Sequence, residues 1–262
     1  MAELAGIVFD QKGVIPGSEV LLGSYAFAFQ IFGDFAGYSF IAMGIARLLG
    51  FELMTNFLYP YFVTNPRDFW RHWHISLSLW LRDYLYIPLG GSRNGEFKTY
   101  RNLMLTMLLG GLWHGAAWTF VIWGSYQGFL LCVHRWMTRA KDGSSERSLG
   151  WIYVLKVVGM FQLTCLGWLI FRAKSFDHLC DLLKSLFFNF TAYSMKLPYL
   201  AGQIVFFTWL VLLIQYFQKN KGSVMLFADF TSLRPWILFA VMFYLFVLFG
   251  EFGGQEFIYF QF

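Results

Sequence analysis

Charged residues are scarce in this sequence. They make up 13% of the 262 residues, whereas hydrophobic residues make up 58%. A soluble domain carries about a quarter charged residues and roughly half apolar ones, so this composition argues against a large soluble core. The aromatic content of 22% fits a lipid environment, because Trp and Tyr favour membrane interfaces. Membrane lipid is therefore the first partner that the sequence predicts.

Cysteine is equally sparse, and the basic residues are not clustered. Cys132, Cys165 and Cys180 are scattered along the chain, a pattern that does not suggest a disulfide framework or a metal knuckle. The net charge is +5, but the basic residues lie in connecting segments rather than in one stripe. Since no nucleic-acid-binding motif accompanies them, no nucleic-acid partner is predicted.

Several motifs of soluble enzymes are also missing. The chain has no G-x-S-x-G nucleophile elbow and no G-x-x-x-x-G-K-[ST] phosphate loop. His72 and His74 stand two positions apart, so on a helix their side chains point in different directions. Without a carboxylate or cysteine cluster beside them, no metal site is predicted, and no bound cofactor is expected.

The sequence does contain long apolar runs. About 20 mostly apolar residues suffice to cross a bilayer, and the runs lie at about 20–49, 100–136, 151–171, 200–217 and 235–249. The first is interrupted by Gly33, Asp34 and Gly37, so it predicts either two shorter pieces or one broken helix. The sequence thus predicts an all-α, polytopic membrane helix bundle in which residues 1–262 form a single membrane domain.

Residues 176–188 differ in character from these runs. Phe176, Leu179, Leu183 and Phe187 recur at helical spacing, with charged residues between them. This pattern predicts an amphipathic helix lying on the membrane interface. Further along, Lys219, Lys221 and Arg234 indicate a cytoplasmic loop.

Residues 65–91 are too polar for a lipid-exposed span and too rich in Trp, Tyr and Leu for a solvated loop. Asn65 is a good N-cap and Pro66 a good first helical residue, which predicts one helix running to about residue 86. A re-entrant or interfacial helix that turns a polar face to a protein-lined cavity, funnel or tunnel satisfies both properties. On that helix, Arg71, His74, Ser78 and Arg82 would share the polar face.

That face has a second interpretation, which the sequence leaves open. The two arginines would extend to lipid headgroups, and the histidine would be a hydrogen-bonded packing residue.

His114 lies deep in an apolar run, flanked by Gly110, Gly111 and Gly115. Ionisable groups within a span usually face a cavity or a partner, and small neighbours let a backbone or a substrate come close. A neutral imidazole there could accept a proton from a hydroxyl and return it to a leaving group. An interhelical hydrogen bond is the alternative, but the position favours a functional role. Asp34, among apolar and small neighbours, either orients a group in the cavity or pairs with an arginine.

Four segments resemble the bacterial branch of the membrane-bound O-acyltransferases, the alginate O-acetylase-like proteins in particular. Residues 68–78 read Asp-Phe-Trp-Arg-His-Trp-His-Ile-Ser-Leu-Ser, and residues 80–91 continue the same signature. Residues 100–103 lead into Gly-Gly-Leu-Trp-His-Gly-Ala at 110–116, and the ending at 257–262 is similar to the alginate-type C-terminus.

The resemblance implies an O-acyltransferase of the bacterial inner membrane, most simply an O-acetyltransferase. His114 matches the catalytic histidine of the family, and His74 matches a histidine of the same intramembrane tunnel. The donor would be cytoplasmic acetyl-CoA or an acyl carrier, and the acceptor a polysaccharide hydroxyl outside the membrane, reached with an extracytoplasmic acyltransferase partner. Residues expected to bind substrate or stabilise the developing oxyanion, or to support the site, are Arg71, Ser78, Arg82, Asp83, Asn102, Trp113 and Asp34.

The chain also departs from the family pattern. Phe40 stands where an acid is usual, and His72 where an arginine is common. The match begins well inside the pattern, so this chain resembles the C-terminal half of longer members. Two other interpretations follow: an inactive or truncated membrane docking subunit for an extracytoplasmic acyltransferase, and a transporter. Transporters usually show paired internal repeats, which this sequence lacks.

Overall fold

The computed structural model describes residues 1–11, 15–139, 150–190, 196–222 and 233–250, which form helices joined by turns and irregular segments, with no strand among them. The helices are α1 Ala2–Phe9, α2 Gly17–Leu48, α3 Pro66–His72, α4 Ile75–Leu81, α5 Glu96–His114, α6 Trp118–Thr138, α7 Gly150–Arg172, α8 Phe176–Phe188, α9 Leu197–Lys221 and α10 Leu233–Phe249. A 3-10 turn, Pro60–Phe62, and a π-helical turn, Arg82–Tyr86, complete the described secondary structure. The all-α prediction is confirmed. The similarity at 257–262 lies outside the described residues.

Within the part of the chain that the structure describes, three helices are long and apolar enough to cross a membrane. They are α2, α7 and α9, and the shorter apolar segment Pro235–Phe249 lies within α10. The runs predicted at 151–171, 200–217 and 235–249 are helices with nearly the predicted ends. A membrane helix protein therefore follows from length and composition together.

The predicted interruption of the first span is wrong, because α2 continues through Gly33, Asp34 and Gly37 without a break. In an apolar environment a break would leave backbone N–H and C=O groups unpaired, so glycines within a span are tolerated as helix residues. The two halves of α2 differ in their surroundings instead. Phe27 in the first half is fully buried, whereas Leu48 in the second half is exposed.

The run predicted at 100–136 is not one span but a hairpin of α5 and α6. The two helices approach closely because glycines face the partner backbone. An added Cβ at Gly111 would meet the carbonyl oxygen of Phe120, and one at Gly124 would meet the carbonyl oxygen of Met107. Small residues that let backbones come together are typical of helix packing in membranes.

Aromatic side chains fill the space between α2, α7 and the segment before α3. Tyr61 lies 5.3 Å from Phe161 and 5.6 Å from Phe32, centroid to centroid. The Tyr61 hydroxyl donates a hydrogen bond to the carbonyl of Ala28, and the Tyr25 hydroxyl donates to Gln162. Packing and interhelical hydrogen bonds of this kind hold helices together where water does not drive their association.

Helix α8 lies across one end of the bundle. Its N-cap Ser175 accepts a hydrogen bond from the His178 amide, and the amide of Gly17 donates to the carbonyl of Asn189. Leu179 and Leu182 are buried, while Phe187 is exposed. The predicted amphipathic helix is confirmed as a helix, but part of its apolar face packs on the bundle.

We expect Gly124→Ala to lower the free energy of unfolding by about 1–3 kcal/mol, because the added methyl group forces α5 and α6 apart. The matched control is Gly159→Ala on α7, where an added Cβ meets nothing within 4 Å. Thermal unfolding of both variants in detergent measures the difference. Equal melting temperatures for the two variants would contradict the close packing of the hairpin.

Candidate active site

The segment 65–91 begins as predicted but is not one helix. The Asn65 side chain accepts a hydrogen bond from the Asp68 amide, and Pro66 is the first residue of α3. The helix ends at His72, because Trp73 is extended at φ −112° and ψ 128°. His74 then adopts a left-handed conformation at φ 42° and ψ 58° before α4 begins.

Packing and hydrogen bonding explain this break. Trp73 is buried, stacked on Phe69 with centroids 5.7 Å apart and 4.8 Å from Trp168. Two backbone groups at the break are paired with the irregular segment that precedes Pro60. Leu58 donates to the carbonyl of His72 at 3.0 Å, and Ile75 donates to the carbonyl of Asn56 at 3.1 Å. Burial of one indole ring therefore overrides the helical pattern.

Because of this break, the predicted polar face does not form. His74 turns toward α2, where its imidazole meets the Phe35 ring edge to face with centroids 4.5 Å apart. Arg71 instead stays 58% exposed and lies 3.6 Å from Asp68. The Ser78 hydroxyl donates to the carbonyl of Trp73 at 3.2 Å.

Arg82 and Asp83 lie in the π-helical turn and pair with each other. The Arg82 Nε donates to Asp83 at 2.6 Å, and both side chains are about half exposed. The hydrogen bond from Arg82 lowers the pKa of Asp83, so this carboxylate stays charged at neutral pH. Neither residue lines the cavity described next.

His114 ends α5 inside a group of aromatic rings. Its imidazole centroid lies 5.3 Å from that of Trp123 and 5.2 Å from that of Phe171, both nearly perpendicular to it. Gly115 makes this packing possible, because an added Cβ there would lie 2.8 Å from the Phe120 ring. The glycine-flanked histidine is therefore held among rings contributed by α6 and α7.

His74 and His114 line the same small cavity. The other lining residues come from α2, α3, α4, α6, α7 and the break after α3: Ile31, Trp70, Trp73, Leu77, Trp123, Trp168 and Phe171. The free space is about 10 Å³, enough for roughly one water molecule. Two histidines from separate motifs thus face a site with room for a single small polar group.

On its other side His74 also borders an outer groove. This groove, of about 220 Å³, runs along the second half of α2 and includes Phe35, Ser39 and Asn56. The imidazole of His74 therefore stands between the inner cavity and a route that opens along α2.

Three further predicted site residues lie outside the cavity. Asn102 is fully buried and donates hydrogen bonds to the carbonyls of Leu89 and Gly91, at 3.1 and 3.0 Å. Trp113 is 62% exposed, with its ring 5.2 Å from that of His114. The Asp34 side chain is hydrogen-bonded to the Gln30 side chain on the same helix. Asp34 immediately precedes Phe35 in the chain.

The sequence interpretation did not identify Trp123, Trp168 or Phe171 as neighbours of the histidines. Taken as one apolar run, residues 100–136 place Trp123 more than two turns beyond His114. In the hairpin, α6 folds back on α5 and brings the two rings together. The signal available in the sequence was the glycine spacing of Gly111, Gly124 and Gly128, which indicates a close helix pair.

Among the described residues, no three His, Cys, Asp or Glu side chains come together as metal ligands would. The chemistry of the cavity therefore has to be argued from its imidazole and indole groups.

Comparison with known proteins defines the class to which this chain belongs. Residues 20–167, more than half of the chain, match the pattern of the MBOAT, membrane-bound O-acyltransferase, family. The chain belongs to that family, and both histidines lie within the matched region.

Individual relatives fall into three kinds. The chain is 50% identical over 156 residues to a probable alginate O-acetylase of Azotobacter vinelandii, covering 60% of this chain and 30% of that protein. It is 40% identical over 188 residues to a peptidoglycan O-acetyltransferase of Helicobacter pylori, covering 71% and 34%. It is 34% identical over 170 residues to a teichoic acid D-alanyltransferase of Bacillus subtilis, covering 60% and 42%. The match thus spans about a third of the length of these relatives.

We expect Asn102→Ala to destabilise the protein, because the carbonyls of Leu89 and Gly91 lose their donor. Each buried acceptor left unpaired costs about 1–3 kcal/mol. Lys98→Gln, exposed on the same helix, is the control and should change the free energy of unfolding by less than about 0.5 kcal/mol. Unfolding of both variants in detergent by added denaturant compares them. If Asn102→Ala were as stable as Lys98→Gln, the turn at 88–91 would not depend on this amide.

Proposed function

We propose that this chain carries the reaction centre of a membrane-bound O-acyltransferase, in which His114 is the general base. The observation that carries the proposal is the meeting of His74 and His114 in one buried cavity. The two histidines are 40 positions apart in sequence and belong to different motifs. Family membership supports the proposed class of reaction, and the shared cavity supports the proposed position of the site.

The proposed reaction joins an acyl thioester and a hydroxyl. The hydroxyl oxygen attacks the thioester carbonyl carbon while the His114 imidazole takes the hydroxyl proton. The tetrahedral intermediate then collapses, the carbon–sulfur bond breaks, and the imidazolium returns the proton to the leaving thiolate. The products are an ester and a thiol, and His114 is neutral again. A general base of this kind contributes about 10²- to 10⁴-fold in rate.

The role proposed for His74 is to position the donor at the mouth of the cavity. Its ring borders both the inner cavity and the outer groove along α2, so a donor that enters from the groove passes this imidazole. Because the cavity has space for about one water-sized group, bound acyl groups require movement of the lining. Trp70 and Leu77, which are only partly buried, are the side chains with room to move.

The test is acyl transfer from radiolabelled acetyl-CoA in membranes that contain the protein. We expect His114→Ala to lower the rate by about 10²- to 10⁴-fold. His74→Asn is expected to weaken transfer as well, and asparagine is chosen because it tolerates the left-handed backbone at this position. His134→Ala, on α6 outside the cavity, is the matched control and should retain activity.

Label transfer that persists undiminished in His114→Ala would overturn the proposed mechanism. Loss of activity in His134→Ala to the same degree would mean that the histidine substitutions act through folding. Thermal unfolding of each variant separates these two results.

Donor, acceptor and partner follow from the relatives by analogy. Acetyl-CoA or an acyl carrier is proposed as the donor, since two of the relatives described above are named as O-acetylating proteins. Their names give alginate and peptidoglycan as what they modify, so an extracytoplasmic polysaccharide is the proposed acceptor. An extracytoplasmic acyltransferase is the proposed partner, and a multi-pass position in the bacterial inner membrane the proposed location.

The charges at the two ends of the bundle support one orientation. Arg135 forms two hydrogen bonds to Glu96, which places the start of α5 beside the end of α6. Lys219 and Tyr153 both donate to the carbonyl of Phe62, which brings the end of α9 to the start of α7. The basic residues that belong to this end are Arg67, Arg93, Lys98, Arg101, Arg139, Lys156 and Lys221.

Among the described residues, the opposite end, around α8, has fewer basic side chains, namely Arg172, Lys174, Lys184 and Lys196. Since positive charge accumulates on the cytoplasmic side, we propose that the start of α5 is cytoplasmic. In a background without native cysteines, a membrane-impermeant maleimide should label Lys184→Cys on intact cells and Lys98→Cys only after the membrane is opened. The reverse labelling pattern would invert the orientation.

A further inference from the structure

Three indole N–H groups lie buried around the two histidines. In the described part of the chain, the Nε1 atoms of Trp70, Trp123 and Trp168 have no hydrogen-bond partner, and all three residues line the cavity. Buried donors are almost always paired, and leaving one unpaired costs about 1–3 kcal/mol. Unpaired donors at one cavity indicate that an acceptor atom belongs there, and this applies above all to Trp70 and Trp123.

Trp123 has the strongest position of the three. It is 3% exposed, and its ring stands perpendicular to the His114 imidazole with centroids 5.3 Å apart. Trp70 meets Trp123 edge to face at 6.0 Å, so the two indoles flank one side of the cavity. Trp168 differs, because the Tyr61 hydroxyl is its neighbour and offers an acceptor within a small movement.

Simple packing does not account for the indole at position 123. A phenyl ring would fill an aromatic core without burying a polar N–H group, as Phe171 does beside it. The arginines that the sequence offered as donors to the oxyanion do not take this role. Arg71 and Arg82 are more than half exposed and are paired with Asp68 and Asp83.

We propose that the indole N–H of Trp123, assisted by that of Trp70, donates a hydrogen bond to the carbonyl oxygen of the bound acyl thioester. The inference rests on the proposed acyl transfer. When the hydroxyl oxygen attacks, the electron pair of the C=O π bond moves onto this oxygen, and the N–H group stabilises the resulting negative charge. When the carbon–sulfur bond breaks, the pair returns and the carbonyl re-forms. The indole keeps its proton throughout.

The positions of His114 and Trp123 are compatible with the roles of general base and oxyanion donor. A general base must come within about 3 Å of the hydroxyl oxygen whose proton it accepts. An oxyanion donor must come within about 3 Å of the carbonyl oxygen. Both oxygens are bonded to the same carbon in the intermediate. His114 and Trp123 line the same cavity with their ring centroids 5.3 Å apart, so both rings lie beside any group that occupies it.

The first test compares Trp123→Phe with Trp136→Phe, the latter a 70% exposed tryptophan on the same helix. Removal of one oxyanion donor lowers kcat by about 10²- to 10³-fold, so we expect that loss in Trp123→Phe with KM nearly unchanged. Trp136→Phe should match the wild type. Replacement of Trp123 by 3-benzothienylalanine, which keeps the ring shape and lacks the N–H group, should reproduce the loss if the hydrogen bond is responsible.

A kcat within threefold of the wild type in Trp123→Phe and in the benzothienyl protein would overturn the inference. If those proteins also melted at a lower temperature, the N–H group would hold a structural water only. The proposed function is judged separately, because it fails when transfer survives in His114→Ala whatever the result at Trp123.

A second measurement does not depend on turnover. In the His114→Ala protein, the C=O stretching frequency of bound ¹³C-carbonyl acetyl-CoA should be lower than that of the free donor, because a hydrogen bond weakens the C=O bond. Adding Trp123→Phe should return the frequency toward the free value. An identical frequency with and without the indole would contradict the inference even if acyl transfer is confirmed.

Discussion

The burial of Trp73 is the constraint on which the rest of the site depends. Its ring fills the space between Phe69 and Trp168, and a continuous helix could not place it there while keeping its neighbours outside. The chain therefore leaves the helix for two residues, and Asn56 takes up a backbone donor that becomes free. The left-handed conformation of His74 is the direct result, and it is the reason this imidazole turns inward while Arg71 stays at the surface.

The α5–α6 hairpin forms the other side of the cavity in a different way. Glycines at the crossing bring two backbones into contact, so side chains on opposite arms of the hairpin become neighbours. His114 gains Trp123 as a neighbour only because Gly111 and Gly124 have no side chains to separate their helices. The buried ring of Trp73 and the glycines of the α5–α6 hairpin thus both shape the same small cavity.

Sequence reasoning anticipated features that local chemistry determines. The cap at Asn65, the ends of α7 and the helix at 176–188 follow from capping residues, apolar length and periodicity, and all are confirmed. It failed where tertiary contacts decide. The break at His74 is invisible to periodicity, because only the packing of Trp73 demands it. Glycine permits both a helix and its interruption. The sequence therefore could not show that α2 continues through its glycines or that α5 ends at His114, before Gly115. Trp123 could not be assigned to the site until the hairpin was known.

The small size of the cavity has a consequence for side reactions. An activated thioester is always open to hydrolysis, and a histidine that deprotonates an alcohol can deprotonate water equally well. A space of about 10 Å³ holds roughly one water-sized group, so before the lining moves the base can meet at most about one solvent molecule. If that movement requires bound substrate, hydrolysis would be kept slow without any difference in reactivity between the alcohol and water.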